Sequence, residues 1–136
     1  MRLGTIRNAM TARSDVRPAP KDERLPLEPR IKLWVEKDGQ LVLSDYRVQL
    51  LQYVAETGSL AEAAERLGLS YRRAWGKVRE IERNLGLPLV QSEAGGAGGG
   101  SSHLTRQGER LVALYERFRR AMESDLSKEF RELFME

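Results

Sequence analysis

The stretch GSLAEAAERLGLSYRRAWGKVREIERNLGLPLV, residues 58–90, contains two helical patterns separated by a short break. Ser59 and Glu62 form a capping box at the start of a short helix, which ends at Gly68. The apolar face of this helix is narrow and mostly alanine: Leu60, Ala63, Ala64 and Leu67. Small residues on this face allow a neighbouring helix to cross closely, and the break at 68–70 has the length of a turn between two steeply angled helices.

The second helix of the stretch is predicted from about 71 to 85, with Ser70 as its N-terminal cap. At about 100° per residue, its side chains divide between two faces. The predicted core face contains Tyr71, Ala74, Val78, Ile81 and Leu85. The opposite face contains Arg72, Gly76, Arg79 and Arg83, with Arg73 beside them.

The positive charge of the chain is concentrated on this second helix. Between residues 70 and 83, five basic residues face two acidic ones, a surplus of three that equals the formal net charge of +3 of the whole chain. A solvated surface is one interpretation of such a face. However, a capped short helix, a tight turn and a basic helix together are typical of a helix-turn-helix, whose second helix enters the DNA major groove with its N-terminal residues. Gly76 costs about 1 kcal/mol of helix propensity relative to alanine, which indicates close approach of a duplex at that position.

The residues after this helix predict a β-hairpin. GLPLV at 86–90 ends the helix and begins a strand, and SHLT at 102–105 forms a return strand up to Thr105, which can cap a further helix. Five of the six residues at 95–100 are glycine. A strand, loop and strand directly after the basic helix form a wing, and glycine at its tip lets backbone N–H groups approach phosphates or the minor groove. The run fits neither phosphate-loop signature of nucleotide enzymes, and the segment after it is too short for a second folded domain.

The residues before the helix-turn-helix divide into an arm and a hairpin. Residues 1–30 contain four of the five prolines and no hydrophobic period, so we expect a disordered arm there. The next residues alternate, and Asp38-Gly39 predicts a two-residue hairpin turn. The apolar side of this hairpin is expected to contain Ile31, Leu33, Val35, Leu41 and Leu43. A helical stripe then follows and stops at Gly58: Val48, Leu51, Val54 and Ala55.

The composition narrows the functional class. A chain of 136 residues with 40% hydrophobic residues can form one domain with tails. It has no cysteine, which excludes disulfides, thiolate metal sites and cysteine nucleophiles and fits a reducing cytoplasm. Its single histidine, His103, is expected to be a polar strand residue, because one histidine without partners does not make a usual metal site. No apolar run is long enough to span a membrane. We therefore expect a soluble cytoplasmic protein that is not an enzyme.

Residues 31–123 resemble the N-terminal DNA-binding domain of ModE-type, molybdate-responsive regulators and, more distantly, the winged helix of LysR-type regulators. The motif SYRRAW and the glycine-rich segment GGAGGGSSHLTRQGERL carry this resemblance. In the ModE family the domain is an α/β winged helix that dimerises and binds a palindromic operator. The resemblance implies that Ser70, Tyr71, Arg72 and Arg73 contact DNA and that Ala74 and Trp75 support the fold.

The chain departs from the ModE pattern in two places. The family commonly has a lysine among the wing glycines, where this chain has Ala97. Its members also sense oxyanions through further C-terminal domains, and this sequence ends at Glu136 without them. The resemblance therefore does not imply molybdate sensing, and we expect no cofactor and no metal.

The C-terminal segment has an apolar stripe that is longer than a small winged helix needs for its own core. The stripe consists of Leu111, Tyr115, Phe118, Met122, Leu126, Phe130 and Leu133. Packing against the same helix of a second copy would cover it and would present two recognition helices to two half-sites. Alternatively, SDLS at 124–127 breaks the helix, with Asp125 as the cap of a short helix that folds back. We favour dimerisation through Leu111, Tyr115, Phe118 and Met122.

The sequence thus predicts a mainly α fold with small β elements: a winged helix-turn-helix with an N-terminal hairpin, a glycine-rich wing and a long C-terminal dimerisation helix. Residues 1–30 are the expected arm, 31–123 the DNA-binding domain and 124–136 a helical extension. We predict a transcriptional regulator that binds a palindromic operator in double-stranded DNA as a homodimer. The alternative is a winged helix that binds proteins, or a partner-dependent regulator without effector sensing of its own. The candidate DNA-binding residues are Ser59, Ser70, Tyr71, Arg72, Arg73, Gly76, Lys77, Arg79, Arg83, Gly96, Gly98, Gly99, Ser101 and Ser102.

Overall fold

Eight elements make up the part of the chain that the computed structural model describes, residues 26–94 and 100–135. In chain order they are β1 (Trp34–Lys37), β2 (Gln40–Ser44), α1 (Asp45–Thr57), α2 (Leu60–Arg66), α3 (Tyr71–Leu85), β3 (Val90–Glu93), β4 (Ser101–Leu104) and α4 (Arg106–Phe134). The strands form two separate antiparallel hairpins, β1 with β2 and β3 with β4. Residues 1–25 of the expected N-terminal arm lie outside the described residues.

The first hairpin has the predicted turn but a different register. Asp38 and Gly39 both have positive φ, 51° and 77°, as a two-residue turn of this kind requires. A bulge between Val35 and Glu36 shifts the pairing, so that Val42 and Leu43 are both buried. Leu41, expected on the apolar side together with Leu43, is only half-buried, and Val42 is buried in addition because a bulge breaks strict alternation.

Every described helix begins at a hydroxyl side chain that accepts a backbone hydrogen bond. Ser44, Ser59, Ser70 and Thr105 accept from the N–H three residues later, at 3.0 to 3.2 Å. These contacts satisfy backbone donors that have no partner within the helix. The predicted caps at Ser59, Ser70 and Thr105 and the predicted bounds of α3 are confirmed.

The core lies between α1, α2, α3 and the two hairpins. Its largest fully buried side chains are Leu50, Leu51, Val54, Leu60, Val78, Ile81 and Leu89. Ala63 and Ala74 are also buried, which lets α2 and α3 pack closely. Ala55 was expected in the apolar stripe of α1 but is exposed. Leu50 is buried in addition to Leu51, because α1 is covered by β2, α2, β4 and α4 and its buried face is wider than one stripe.

Helix α4 is continuous over 29 residues, so the alternative of a break at 124–127 was wrong. Its first turn packs tightly against the segment before β3, since a Cβ added to Gly108 would lie 2.5 Å from the carbonyl oxygen of Leu89. Leu111 and Tyr115 pack against the core, whereas the apolar residues from Phe118 onward do not belong to the core cluster. In the described ranges, no helix is both long and apolar enough to cross a membrane.

Candidate nucleic-acid interface

One side of α3 presents the predicted basic face to solvent. Arg72, Arg73, Gly76, Arg79 and Arg83 are all exposed. No atom lies within 4 Å of a Cβ added at Gly76, so the backbone is open to close approach from outside. The structure thus brings together four arginines and Gly76, which has no side chain, along one side of a fifteen-residue helix.

The first turn of α3 is more exposed than the helical pattern predicts. Tyr71 was placed on the core face but is 54% exposed. Tyr71 is the first residue of α3. Its side chain lines a cleft together with residues of α2 and of the second hairpin and does not pack into the core beneath α3. Ser70 is exposed, and its hydroxyl accepts a hydrogen bond from the N–H of Arg73 at 3.2 Å. Tyr71 therefore joins the exposed first turn together with Arg72 and Arg73.

The two acidic residues of α3 are held by groups away from the first turn. Glu80 accepts a hydrogen bond from the buried guanidinium of Arg47 at 2.6 Å. Glu82 accepts hydrogen bonds from the backbone N–H groups of Leu89 at 2.8 Å and Val90 at 3.2 Å. These contacts leave the N-terminal half of the basic face without a neighbouring carboxylate from the same helix.

The basic residues of α3 differ in what they already contact. Lys77 lies over the ring of Tyr46, and Arg79 lies over Trp75 and within 3.8 Å of the Glu82 carboxylate. Among the four arginines of α3, three form no ion pair with another described residue: Arg72, Arg73 and Arg83. On this helix, their guanidinium groups can bind an external anion without first breaking an ion pair.

The second hairpin, β3 with β4, lies beside the first turn of α3. A cleft of about 330 Å³ separates the two and is lined by Ser59, Tyr71, Ser92, Gly100 and Ser101, among others. The backbone N–H of Ser102 donates to the carbonyl oxygen of Gly58 at 2.9 Å, which ties β4 to the end of α1. Predicted contact residues Ser59 and Ser101 thus share a cleft with Tyr71. Gly96, Gly98 and Gly99 lie outside the described residues.

Ser102 does not occupy the position that the sequence analysis gave it. It is only 6% exposed, and its hydroxyl pairs with that of Ser92 across the hairpin at 3.1 Å. Its side chain points inward because residues alternate between the two faces of a strand, and its neighbours Ser101 and His103 are the exposed ones. Ser102 therefore supports the hairpin and is removed from the candidate contact residues.

Sequence reasoning missed the residues that fix α3 to its surroundings. Glu82 binds two backbone donors at the start of β3, and the Thr105 hydroxyl donates to the carbonyl oxygen of Pro88 at 2.7 Å. On the other side, Arg47 and Asn84 both donate to the carbonyl oxygen of Leu41. A helical wheel treats such polar residues as solvated, and only the pairing across elements shows that they are buried contacts.

The predicted dimerisation residues have different environments. Leu111 is half-buried against the core of its own chain. Tyr115 is 4% exposed, and its hydroxyl contacts the carboxylate of Asp45 and the carbonyl oxygen of Leu33. Tyr115 was thus wrongly placed on an outer surface, because a polar contact inside the chain uses its hydroxyl. Phe118 is exposed and Met122 half-buried, and both lie beyond the last core contacts of α4.

In the described residues, no group of three or more His, Cys, Asp or Glu side chains is arranged to hold a metal ion. Burial raises the pKa of Tyr115 to about 12, and the adjacent Asp45 carboxylate contributes to this rise in pKa. Its phenol group therefore stays protonated at neutral pH and acts as a hydrogen-bond donor.

Parts of the chain are similar in sequence to known bacterial proteins. Residues 46–109 match the family described as bacterial regulatory helix-turn-helix protein, lysR family. The transcriptional regulator ModE of Yersinia pestis is 36% identical over 90 residues, which are 66% of this chain and 34% of that protein. The molybdenum-pterin-binding protein MopB of Rhodobacter capsulatus is 44% identical over 69 residues, 51% of this chain and 26% of that protein.

The structure of full-length CbnR complexed with its target DNA is similar in fold, with a TM-score of 0.50 and 21% identity over 65% of this chain and 29% of that one. The chain spans about a third of the length of its ModE relatives. It has the helix-turn-helix, the hairpin after it and the long last helix in the order predicted from the sequence. The described residues therefore have a winged helix-turn-helix fold, and the matched segments are similar to LysR-type and ModE regulators.

Proposed function

We propose that this protein is a DNA-binding transcriptional regulator and that, as a homodimer, it binds a palindromic operator with one α3 helix in each half-site. One observation carries this proposal. Arg72, Arg73 and Arg83 are exposed on one helix and form no ion pair within the described part of the chain. Guanidinium groups that are already free of carboxylates can bind phosphates or guanine edges without first breaking an internal contact.

The two ends of α3 are assigned different tasks. Arg72 and Arg73 lie in the first turn, which in a helix-turn-helix points into the major groove. An arginine there can donate two hydrogen bonds to the O6 and N7 atoms of a guanine. Arg83 lies about 15 Å further along the helix, at a rise of about 1.5 Å per residue. At that distance the helix has left the groove, so Arg83 is assigned to the phosphate backbone.

The remaining candidate residues surround the first turn. Ser59 and Tyr71 line the cleft beside this turn, and Ser70 is exposed next to it. We assign all three to a phosphate group at the edge of the groove. Gly76 allows the duplex to approach the helix, and Arg79 adds positive charge on the same side. Lys77 lies one turn after Arg73 and adds charge beside it. Ser101 and the glycines at 96, 98 and 99 are assigned to the sugar-phosphate backbone next to the groove. Backbone N–H groups of such a wing can bind phosphate without any side-chain charge.

The dimer is assigned to the outer part of α4. Phe118, Leu133 and Phe134 are exposed, and Leu126 and Phe130 are half-buried without belonging to the core. A second copy of the helix would remove this apolar surface from water. ModE of Escherichia coli is named a DNA-binding transcriptional dual regulator, which supports a regulatory role for the matching domain. We assign the protein to the bacterial cytoplasm, because that compartment contains the DNA that such a regulator binds.

The test begins with selection of bound duplexes from a pool of random sequences. The wild-type protein should enrich a palindromic sequence, and its affinity should fall steeply as salt rises, because several arginines per protomer release phosphate counterions. Replacing Arg83 with alanine should lower the slope of log affinity against log salt by about one. Arg131→Ala, near the far end of α4, is the matched control and should leave the slope unchanged. A flat salt response with no enriched sequence would contradict the proposal and would favour a protein-binding winged helix.

A further inference from the structure

A cluster of three side chains joins α4 to the beginning of α1. Asp45 is the first residue of α1, and Tyr115 and Arg119 lie one turn apart on α4. The Tyr115 hydroxyl contacts the Asp45 carboxylate and lies 3.2 Å from the carbonyl oxygen of Leu33. The second carboxylate oxygen of Asp45 lies 3.2 Å from Nη2 of Arg119. One carboxylate thus binds two successive turns of α4.

The contacts around this cluster restrict rotation of α4 about the crossing point. Nε of Arg119 also lies 3.1 Å from the Glu123 carboxylate, so its guanidinium is held between two carboxylates. On the opposite side of a cleft of about 390 Å³, the side-chain amide of Gln52 donates to Glu116. The Asp45 contacts and the Gln52–Glu116 hydrogen bond hold α4 to α1 at two separate places. Two such contacts fix the angle between the helices, whereas one contact would fix only the distance between them.

The cluster is also the last attachment of α4 to the rest of the domain. Its hydrophobic packing against the core ends at Tyr115. After Glu123, no side chain of the described helix forms a hydrogen bond or ion pair with another element. From Arg119 to Phe134 the helix extends about 22 Å, at a rise of about 1.5 Å per residue. A change of about 10° at the cluster would move the far end by about 4 Å, more than the rise of about 3.4 Å between base pairs.

The anchor on α1 is itself fixed to the recognition helix. Arg47, in the first turn of α1, is buried and pairs with Glu80 of α3 at 2.6 Å. Asp45 and Arg47 lie two residues apart in the first turn of α1, so this turn contacts both α4 and α3. Because α1 is also bound to α3, the angle that Asp45 sets between α4 and α1 also sets the angle between α4 and α3.

We propose that Asp45, Tyr115 and Arg119 are positioning residues that fix the direction of α4 relative to α3, and that they thereby set the half-site spacing that the dimer accepts. This proposal rests on the proposed function, because only a dimer on DNA has two half-sites to space. The three residues are assigned no contact with DNA. They act on specificity through the geometry of the two recognition helices.

The first arm of the test measures the direction of α4 without DNA. Because the chain has no cysteine, Glu65→Cys on α2 and Ser127→Cys on α4 can be spin-labelled as a pair, both positions being exposed. Labelled protein is diluted with unlabelled protein so that distances within one protomer dominate. Asp45→Asn, Tyr115→Phe and Arg119→Gln should each broaden or shift the distance distribution. Arg120→Gln, which lines the same cleft and forms no ion pair in the described residues, is the control and should not.

The second arm measures binding to the selected palindrome with its two half-sites moved apart or together by single base pairs. In the three variants, the preference for the best spacing over the next should fall by about fivefold or more, while affinity for an isolated half-site stays within about twofold. Unchanged distances or an unchanged spacing profile in all three variants would overturn the proposal. If the wild-type protein selects no sequence, the proposed function fails together with its spacing consequence, and the label distances still decide whether the cluster fixes α4.

Discussion

Glu82 and Leu89 are joined by a hydrogen bond of 2.8 Å between the side-chain carboxylate and the backbone N–H. The same carboxylate oxygen accepts a second bond, of 3.2 Å, from the N–H of Val90. The Glu82 side chain is only 13% exposed. A single residue on the inner side of α3 thus fixes Leu89 and the first residue of β3, Val90, and the position of the second hairpin depends on α3.

We predict that Glu82→Ala lowers the free energy of unfolding by about 1 to 3 kcal/mol, because it leaves two buried backbone donors without an acceptor. Urea denaturation of the variant and the wild type measures this difference. Glu65→Ala, at an exposed position of α2, is the control and should change stability by less than about 0.5 kcal/mol. Equal stability of Glu82→Ala and wild type would mean that the anchor is not formed in solution.

Two glycines on helices should respond in opposite directions to a methyl group. Gly76→Ala should raise the free energy of unfolding by about 1 kcal/mol, since the position is helical and open. Gly108→Ala should lower it by about 1 to 3 kcal/mol, because the new Cβ would lie 2.5 Å from the Leu89 carbonyl oxygen. Thermal and urea denaturation measure both changes. If Gly76→Ala gains stability and also binds the operator more weakly, the duplex approaches α3 at this residue; unchanged affinity would place the duplex elsewhere.

Ionisation of Tyr115 should be visible at alkaline pH, both in the stability of the protein and in its tyrosinate absorbance. An unfolded tyrosine loses its proton near pH 10, whereas burial raises the pKa of Tyr115 in the folded protein to about 12. Between these pH values the folded state holds the proton more tightly, so stability falls as pH rises through this window. Tyrosinate absorbance of Tyr115→Phe should lack the step near pH 12, and its stability should fall less steeply than that of the wild type. A Tyr71→Phe control should keep the step, and persistence of the step in Tyr115→Phe would contradict the assignment.

The dimer assignment predicts a specific loss of assembly. Phe118→Glu combined with Met122→Glu should give a monomer by analytical ultracentrifugation, with the helical circular dichroism of the wild type retained. Binding to the palindrome should weaken far more than binding to one half-site, because the second contact is no longer intramolecular. Substituting exposed Ala113 and Arg117 with Glu adds charge to a different side of α4 and should leave the dimer intact. A dimer that survives the first pair of substitutions has its interface elsewhere.

The caps and glycines made the helix bounds predictable. Ser70 and Gly86 delimit α3 because a hydroxyl can satisfy the first N–H groups and glycine readily adopts the positive φ of 76° observed after the last turn. The Asp38-Gly39 turn was predictable for the same local reason. In each case the signal lies within a few residues of the structure that it specifies.

Interactions between distant residues were not predictable in this way. The bulge that buries Val42 depends on how the hairpin packs, and the burial of Tyr115 depends on Asp45, seventy positions earlier in the chain. Tyr71 lies on the apolar side of a helical wheel, but a wheel does not show that its side chain, at the first position of the helix, is 54% exposed. Charge periodicity was enough to find the exposed arginines of α3, while the anchors Glu82 and Arg47 required the folded arrangement.

The first turn of α3 is expected to contact base edges, and its last turns are expected to contact the phosphate backbone of the DNA. The direct measurement is the affinity of Arg72→Ala, Arg73→Ala and Arg83→Ala for the selected operator and for every single-base variant of it. Arg72→Ala and Arg73→Ala should each lose about 1 to 3 kcal/mol of discrimination at one defined base pair. Arg83→Ala should weaken binding to all of the sequences nearly equally. If Arg72→Ala and Arg73→Ala instead lose affinity uniformly across the sequences, direct base readout by this turn is contradicted.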